Sequence, residues 1–346
     1  MKSNNNNGQR RTKSAVARER VLVTGADGML GNHLVRELLS AGYPIRVLLQ
    51  PDTDPSTLKG LPIQRFHGDV RDEEAVTQAV DGCTFVFHCA AITDLRAPRD
   101  LVWDVNVEGT RRVVDAAVAA KVKRLVFVGS ASSFPFGTAS SPGRETSAPL
   151  PDHYQGIPYM ESKHAAMELV SEAVRERGLD AVVVVPSFMI GAFTHRPGSA
   201  DLIKAFLDGK LWLSSHGGRN FVYAGDVATA MVNALHRGKS GERYLLAGEN
   251  LTYSAFLNKT AEVSGLRPPV LTLPDWIVNL VGRVNTLREK LTNKPTALNY
   301  TITRISLLET YYSAEKATRE LGMPHTPIKQ AIAASIAGLK RYGQVK

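Results

Sequence analysis

Two cysteines in 346 residues are too few for a fold stapled by disulfides. Cys83 and Cys89 flank the run Thr84 to His88, and if that run is a strand it holds them about 20 Å apart, beyond the reach of one S–S bond. A reducing, cytoplasmic setting is the expectation. Long apolar runs are lacking as well. The longest candidate, residues 181–193, is broken by Pro186, Ser187 and Gly191, short of the roughly 18 residues a membrane span needs. There is no internal repeat. The positive charge is unevenly spread: residues 1–20 carry six Lys and Arg against Glu19, so +5 of the net +9 sits there and +4 in all the rest. A mildly basic folded part does not call for nucleic acid as a partner. The first 18 residues are polar, rich in asparagine and without a hydrophobic segment, so they suit neither a secretory signal nor a membrane anchor, and a disordered basic tail is expected.

What is present is a rhythm. The apolar runs VLVTG at 21, IRVLLQ at 45, IQRFHGD at 63, TFVFHCA at 84, RLVFVGS at 124 and AVVVVP at 181 alternate with helical patterns. One of these spans Asn32 to Ala41, with Leu34, Val35, Leu38 and Leu39 on one face; another spans Val105 to Ala120. Strands that are continuously apolar are covered on both faces, which predicts a doubly wound α/β domain with a parallel sheet between two helix layers. After Pro186 the rhythm degrades into loops, one more strand at Arg243 to Ala247, and mainly helical sequence from 251 to 345.

The stretch TGADGMLG, Thr24 to Gly31, lies where the first strand meets the first helix. In that context Gly25 permits a tight turn, Gly28 lets backbone approach a phosphate, and Gly31 allows close packing, while the helix start at Met29 and Leu30 offers free N–H groups to a pyrophosphate. Gln50 ends the second strand, where an adenosine ribose is read. It is neither the acid that selects a free 2′-hydroxyl nor the arginine that accepts a 2′-phosphate. Asp52 and Asp54 follow it, and the nearest cation, Arg46, falls inside the strand, so the cofactor is read as NAD(P), leaning to NAD(H). Tyr159 and Lys163 stand one helical turn apart, and an ammonium beside a phenol eases proton exchange at neutral pH. Ser130, after the strand LVFV, offers a hydroxyl to a developing alkoxide, with Ser132 as a competitor. Tyr312 and Lys316 repeat the spacing without a preceding strand-end hydroxyl and read as a coincidence on a helix surface.

Glycine turn, strand-end serine and Tyr-Lys pair, in this order, resemble the extended branch of the short-chain dehydrogenase/reductase superfamily over about residues 20–345. The resemblance implies a Rossmann fold, with Asp69 and Val70 of HGDVRD at the adenine, HCAA with Ala90 and Ala91 along the cofactor, Asn106 of NVEGT organising the site, and Pro186 to Met189 beside the nicotinamide amide. Ser130, Tyr159 and Lys163 would then be catalytic, with Lys163 also holding the ribose; no metal enters. Residues 19–190 form the dinucleotide-binding domain, to which 220–250 return, and 191–219 with 251–346 form a smaller substrate-binding region. Within the branch, the segments ALNYTITRISLLETYYSAEKATRELGMPHTPIKQAI and LPDWIVNLVGRVNTL look like the dihydroflavonol reductase-like and 3β-hydroxysteroid dehydrogenase-like group. The implied reaction interconverts a ketone and a secondary alcohol on an apolar or aromatic small molecule. Two rivals remain open: a nucleotide-sugar epimerase or dehydratase, in which Arg219 of GGRNFVYAGDVATA would meet a diphosphate, and a dinucleotide-sensing protein without turnover. The apolar face of Trp276, Ile277, Leu280, Val281, Val284 and Leu287 is read as core, dimer contact or lid. A homodimer through the helices near 105–120 and 158–177 is implied by the resemblance.

Overall fold

The computed structural model describes residues 19–345 apart from 52, 54, 55, 147–149, 194–199, 212, 270, 293, 295 and 297. The tail of residues 1–18 and the acids Asp52 and Asp54 thus lie outside the described residues. The six apolar runs form β1 (Val21–Thr24), β2 (Ile45–Leu49), β3 (Gln64–His67), β4 (Phe85–His88), β5 (Arg124–Val128) and β6 (Ala181–Pro186). Further along lie β7 (Phe188–Ile190), β8 (Leu213–Ser214), β9 (Gly218–Tyr223), β10 (Arg243–Leu246), β11 (Glu249–Thr252), β12 (Leu271–Thr272) and β13 (Glu309–Thr310).

The first six strands and β10 make one sheet in the order β10-β6-β5-β4-β1-β2-β3, and every pairing in it is parallel. Successive strands run outward from β1 on one side and from β4 on the other. The order therefore reverses between β1 and β4, where a doubly wound Rossmann sheet opens a crevice at its carboxyl edge. The helices Met29–Ser40 and Ala224–Arg237 pack together, as do Glu73–Val80, Gly109–Ala119 and Pro158–Arg177. β1, β2, β4 and β6 are buried throughout, as strands between two helix layers must be. β3 departs from that expectation: Gln64, Arg65 and His67 are exposed because β3 is the edge strand. The first helix also begins three residues before Asn32, at Met29, which places the glycine turn directly at its start.

Outside the main sheet, β11 pairs antiparallel with β9, while β13 and β7 run parallel to it. A second apolar cluster gathers Ile203, Phe206, Phe221, Phe256, Ile332 and Leu339, with Phe221 stacked on Phe256 at 4.1 Å between ring centres. β9 thus leads from the second cluster back to the first, through the helix Ala224–Arg237 and then β10 at the edge of the main sheet.

Candidate active site

A cleft of about 510 Å³ runs along the carboxyl edge of the main sheet, within the size range of small-molecule and cofactor sites. Gly25, Gly28, Met29, Leu30 and Gly31 line one part of it. Gly25 has φ +68, and a Cβ there would lie 2.7 Å from the Ala90 amide nitrogen; only glycine makes that turn without strain. At Gly31 a Cβ would lie 2.1 Å from the Gly25 carbonyl oxygen, so the helix can sit this close to the turn only without a side chain. Gly28 differs. A Cβ there would meet only the Gly25 oxygen, at 3.4 Å, so the open space beside it faces the cleft. No side chain caps the helix and no acid stands in its first turn. Its first i→i−4 bond runs from the Asn32 amide to the Gly28 carbonyl, which leaves the earlier amides without helical partners beside the cleft. An anion fits that place.

At the far end Gln50 and Val70 line the cleft with Leu48 and Arg71. Asp69 is clamped from two sides: the Gln50 side-chain amide donates to Oδ2 at 2.8 Å, and Arg71 donates through Nε to Oδ1 at 3.0 Å and through Nη2 to Oδ2 at 2.9 Å. Burial works against the Asp69 carboxylate, but the hydrogen bonds from Arg71 and Gln50 outweigh it and hold the carboxyl at about 2. Arg46, the cation nearest to Gln50 in the sequence, is not the one at the cleft. Arg46 is spent on the Gln78, Ala79 and Asp81 carbonyls, whereas Arg71, two residues after Asp69 in the same HGDVRD stretch, stands at the cleft.

Another part of the cleft is built where β5 stops. Gly129, Ser130, Tyr159, Lys163, Pro186 and Met189 line it, opposite Cys89, Ala90 and Ala91. The Ser130 hydroxyl lies 2.8 Å from that of Ser132. Burial pushes the Tyr159 phenol above its ordinary value, and a hydrogen bond with Ser130 offsets part of that. Lys163 is buried, donates to the Val128 carbonyl at 2.5 Å and lies over the Phe127 ring at 4.7 Å. Burial lowers its ammonium to about 8, which keeps it titratable near neutrality. Cys89 is the opposite case: burial raises its thiol to about 12, so it faces the cleft as a neutral, inert group.

Asn106 does not line the cleft but fixes its walls. Its Oδ1 accepts from the Ile92 amide at 2.8 Å, and its Nδ2 donates to the Ile92 carbonyl at 3.0 Å and to the Ser162 hydroxyl at 2.9 Å. Ser162 in turn donates to the Tyr159 carbonyl at 2.8 Å. One side chain therefore ties the strip at Ile92 to the helix that carries Tyr159. It can do so because residues Asp104–Glu108 form a π turn between the helices Arg99–Trp103 and Gly109–Ala119.

Two other expectations change. Tyr312 is not on a helix surface: it is buried beside β13 and bridges to Gly143, while Lys316 sits on the next helix, Glu315–Leu321, and pairs with Glu242 at 2.6 Å. The face of Trp276, Leu280, Val284 and Leu287 is not core, since these side chains are exposed, and none of them lines the cleft. Arg219 also stands apart from the cleft lining. It donates to the Tyr253 hydroxyl at 2.5 Å and lies 5.1 Å from the Phe188 ring, with no carboxylate partner among the described residues.

Residues 21–247 match the model of the NAD dependent epimerase/dehydratase family. A protein of Synechocystis with the provisional name dihydroflavonol 4-reductase is 31% identical over 330 residues, 94% of this chain and 95% of that protein. Sterol demethylase protein B of Methylococcus capsulatus is 30% identical over 330 residues, 94% and 99% of the two chains. The crystal structure of gox2253 superposes with a TM-score of 0.83 at 29% identity, covering 95% of this chain and all of that one. With the glycine turn, the strand-end serine and the Tyr-Lys helix on a single doubly wound sheet, and with that match over most of the chain, this protein belongs to the NAD dependent epimerase/dehydratase family, in its extended short-chain dehydrogenase/reductase branch.

Proposed function

We propose that the protein is a nicotinamide-dependent oxidoreductase that interconverts a ketone and a secondary alcohol on an apolar small molecule. The observation that carries this reading is the meeting of Ser130 and Tyr159 in the same cleft as the glycine turn. Gly28 with the Met29 and Leu30 amides would hold the pyrophosphate, Gln50, Asp69 and Val70 the adenosine end, and Lys163 the ribose beside the reactive end. Ala90, Ala91, Pro186 and Met189 would wall the cofactor. Bound there, a nicotinamide supplies hydride exchange with the carbonyl carbon.

The chain's own part is to handle oxygen and proton. Ser130 donates to the carbonyl oxygen, and Tyr159 gives up its proton as that oxygen becomes an alkoxide. Burial keeps the phenol protonated, which suits a donor waiting for a reduction. Asn106 is a positioning residue, acting on Tyr159 through Ser162. The names of the two relatives, a dihydroflavonol reductase and a sterol protein, support an apolar substrate, with residues 191–219 and 251–346 as the region that selects it. We place the unphosphorylated dinucleotide first, because Arg71 is already paired in bidentate fashion with Asp69 and Gln50 adds no charge. The test is turnover of aromatic and steroid-like ketones with NADH and NADPH. Reduction of such ketones, at least as fast with NADH, is expected; no reduction with either cofactor overturns the reading.

The second reading, a nucleotide-sugar epimerase or dehydratase, is favoured by one observation: Arg219 is a cation set among Tyr154, Tyr253 and Tyr312 with no acid paired to it among the described residues. Thermal stabilisation by uridine or thymidine diphosphate, abolished in Arg219→Ala, with no response to ketones, would replace the first reading by this one.

A further inference from the structure

The helix Asp275–Thr292 is inside out. Trp276, Leu280, Val284, Leu287 and Leu291 are 68%, 52%, 56%, 58% and 77% exposed, and at 3.6 residues per turn they form one stripe about 80° wide. Three of its polar side chains, Asn285, Thr286 and Glu289, lie on the other side and bond to the chain that follows the helix. Asn285 donates to the Leu298 carbonyl at 2.9 Å, Thr286 accepts from the Tyr300 amide at 2.8 Å, and Glu289 accepts from the Thr296 amide at 2.6 Å. Gly282 packs so tightly that a Cβ would lie 2.0 Å from the Thr303 hydroxyl. The helix cannot roll to hide its stripe without breaking these bonds.

The borders of the stripe are cationic. Arg283 and Lys290 fall on one side of it and Arg288 on the other, all three exposed. None pairs with a carboxylate among the described residues; Arg283 only lies over the Tyr300 ring at 5.5 Å. Two copies meeting along this stripe would bring like charges together with no acid in the stripe to offset them. A surface that is anionic outside and apolar beneath complements it, with cations at phosphates, leucines among acyl chains and the indole at the boundary.

We propose that the Trp276–Leu291 face docks the protein on the surface of a bilayer containing anionic phospholipid. The contact is peripheral, since no helix among the described residues is long and apolar enough to cross a membrane. Docking also has a bearing on the cleft. Glu289, on the inner side of this helix, lies close enough to Arg96 for each to stabilise the other's charge, and Thr93, three residues before Arg96, lines the cleft. A docked helix therefore sets the cleft near the acyl layer, a route for an apolar substrate that rests on the function proposed above; the docking does not.

The test is flotation of the full chain with vesicles of phosphatidylcholine alone or with one-third phosphatidylglycerol. Wild type should float with the anionic vesicles, detach in high salt, and stay behind with phosphatidylcholine alone. Leu280→Ser with Leu287→Ser should weaken flotation by about tenfold or more. Arg283→Glu with Arg288→Glu and Lys290→Glu, an exposed set in which Arg283 gives up its contact with the Tyr300 ring, should do the same. Failure of wild type to float overturns the proposal, as does equal flotation of both variants, which would assign binding to another segment. A wild-type dimer by sedimentation that either variant turns into monomer would assign the face to a second copy instead. Turnover of a water-soluble ketone without vesicles should be the same in wild type and both variants, so loss of the reductase reading and loss of docking are separately visible.

Discussion

Tyr159 and Tyr312 each precede a lysine by four residues, and the two stretches end up as different structures. In the first, a single helix, Pro158–Arg177, carries both residues, and both border the cleft. In the second, Tyr312 is buried beside β13, its phenol pushed well above the ordinary value by burial, and Lys316 belongs to a separate helix that reaches Glu242 and the Tyr244 ring. A spacing of four puts two side chains on one face only when one helix holds both. The difference lies upstream: Ser130, just past β5, meets the first tyrosine, whereas the hydroxyl that ends β13, on Thr310, turns to the Gly218 carbonyl.

The widest gap between the two stretches should come from removing the hydroxyls. Tyr159→Phe should lower kcat about 10²- to 10⁴-fold, the usual worth of a positioned proton donor, with dinucleotide affinity by calorimetry near wild type. Unchanged turnover would erase the distinction between the two tyrosines.

Lys163→Met should cost roughly a hundredfold in kcat/KM, and wild type should carry a pH signature that this variant lacks. The buried ammonium titrates at about 8 instead of its ordinary 10.5, so in wild type dinucleotide affinity should fall as pH rises through about 8. The folded form loses this proton before the unfolded chain does. Wild-type stability relative to Lys163→Met should therefore rise between about pH 8 and the ordinary lysine value. An affinity that is flat across pH 8 in wild type would remove the charge on Lys163 from cofactor binding.

Asn106→Ala tests whether the first tyrosine is held from behind. It leaves the Ile92 amide and the Ser162 hydroxyl short of partners, a loss of about 1–3 kcal/mol in urea unfolding. If Asn106 positions Tyr159, kcat should fall about tenfold with KM little changed, and Asn106→Asp, which keeps the acceptor for the Ile92 amide but loses both Nδ2 donors, should not recover the loss. A drop in stability with unchanged kcat would make the residue structural only. The smallest effect belongs to the second stretch: Tyr312→Phe removes one hydroxyl that meets Tyr154, costs about 1 kcal/mol, and should leave turnover within about twofold of wild type.

Much of this was legible before any coordinates. The continuous apolar runs marked the parallel sheet because burial on both faces removes alternation, and the glycines marked the turn because a Cβ has no room at Gly25 or Gly31. What stayed hidden depended on direction. Periodicity groups Trp276, Leu280, Val284 and Leu287 but does not say whether their face turns in or out, and here a hydrogen bond donated by Asn285 and two accepted by Thr286 and Glu289 turn it out. Arg71 lay in a stretch already read for Asp69, and only the bidentate geometry shows that the two act as one unit. A four-residue spacing does not place Tyr312 either, because the helix that carries Lys316 begins only at Glu315.

The π turn at Asp104–Glu108 has a consequence for how this part of the chain tolerates change in length. A π turn is an α-helix with one residue to spare, and removing that residue restores an unbroken helix while rotating what precedes it by about 100°. Deleting one residue between 104 and 108 should thus yield a smoother helix and a worse site, since Asn106 could no longer meet Ile92 and Ser162 together. Here local irregularity sets the phase between two helical segments.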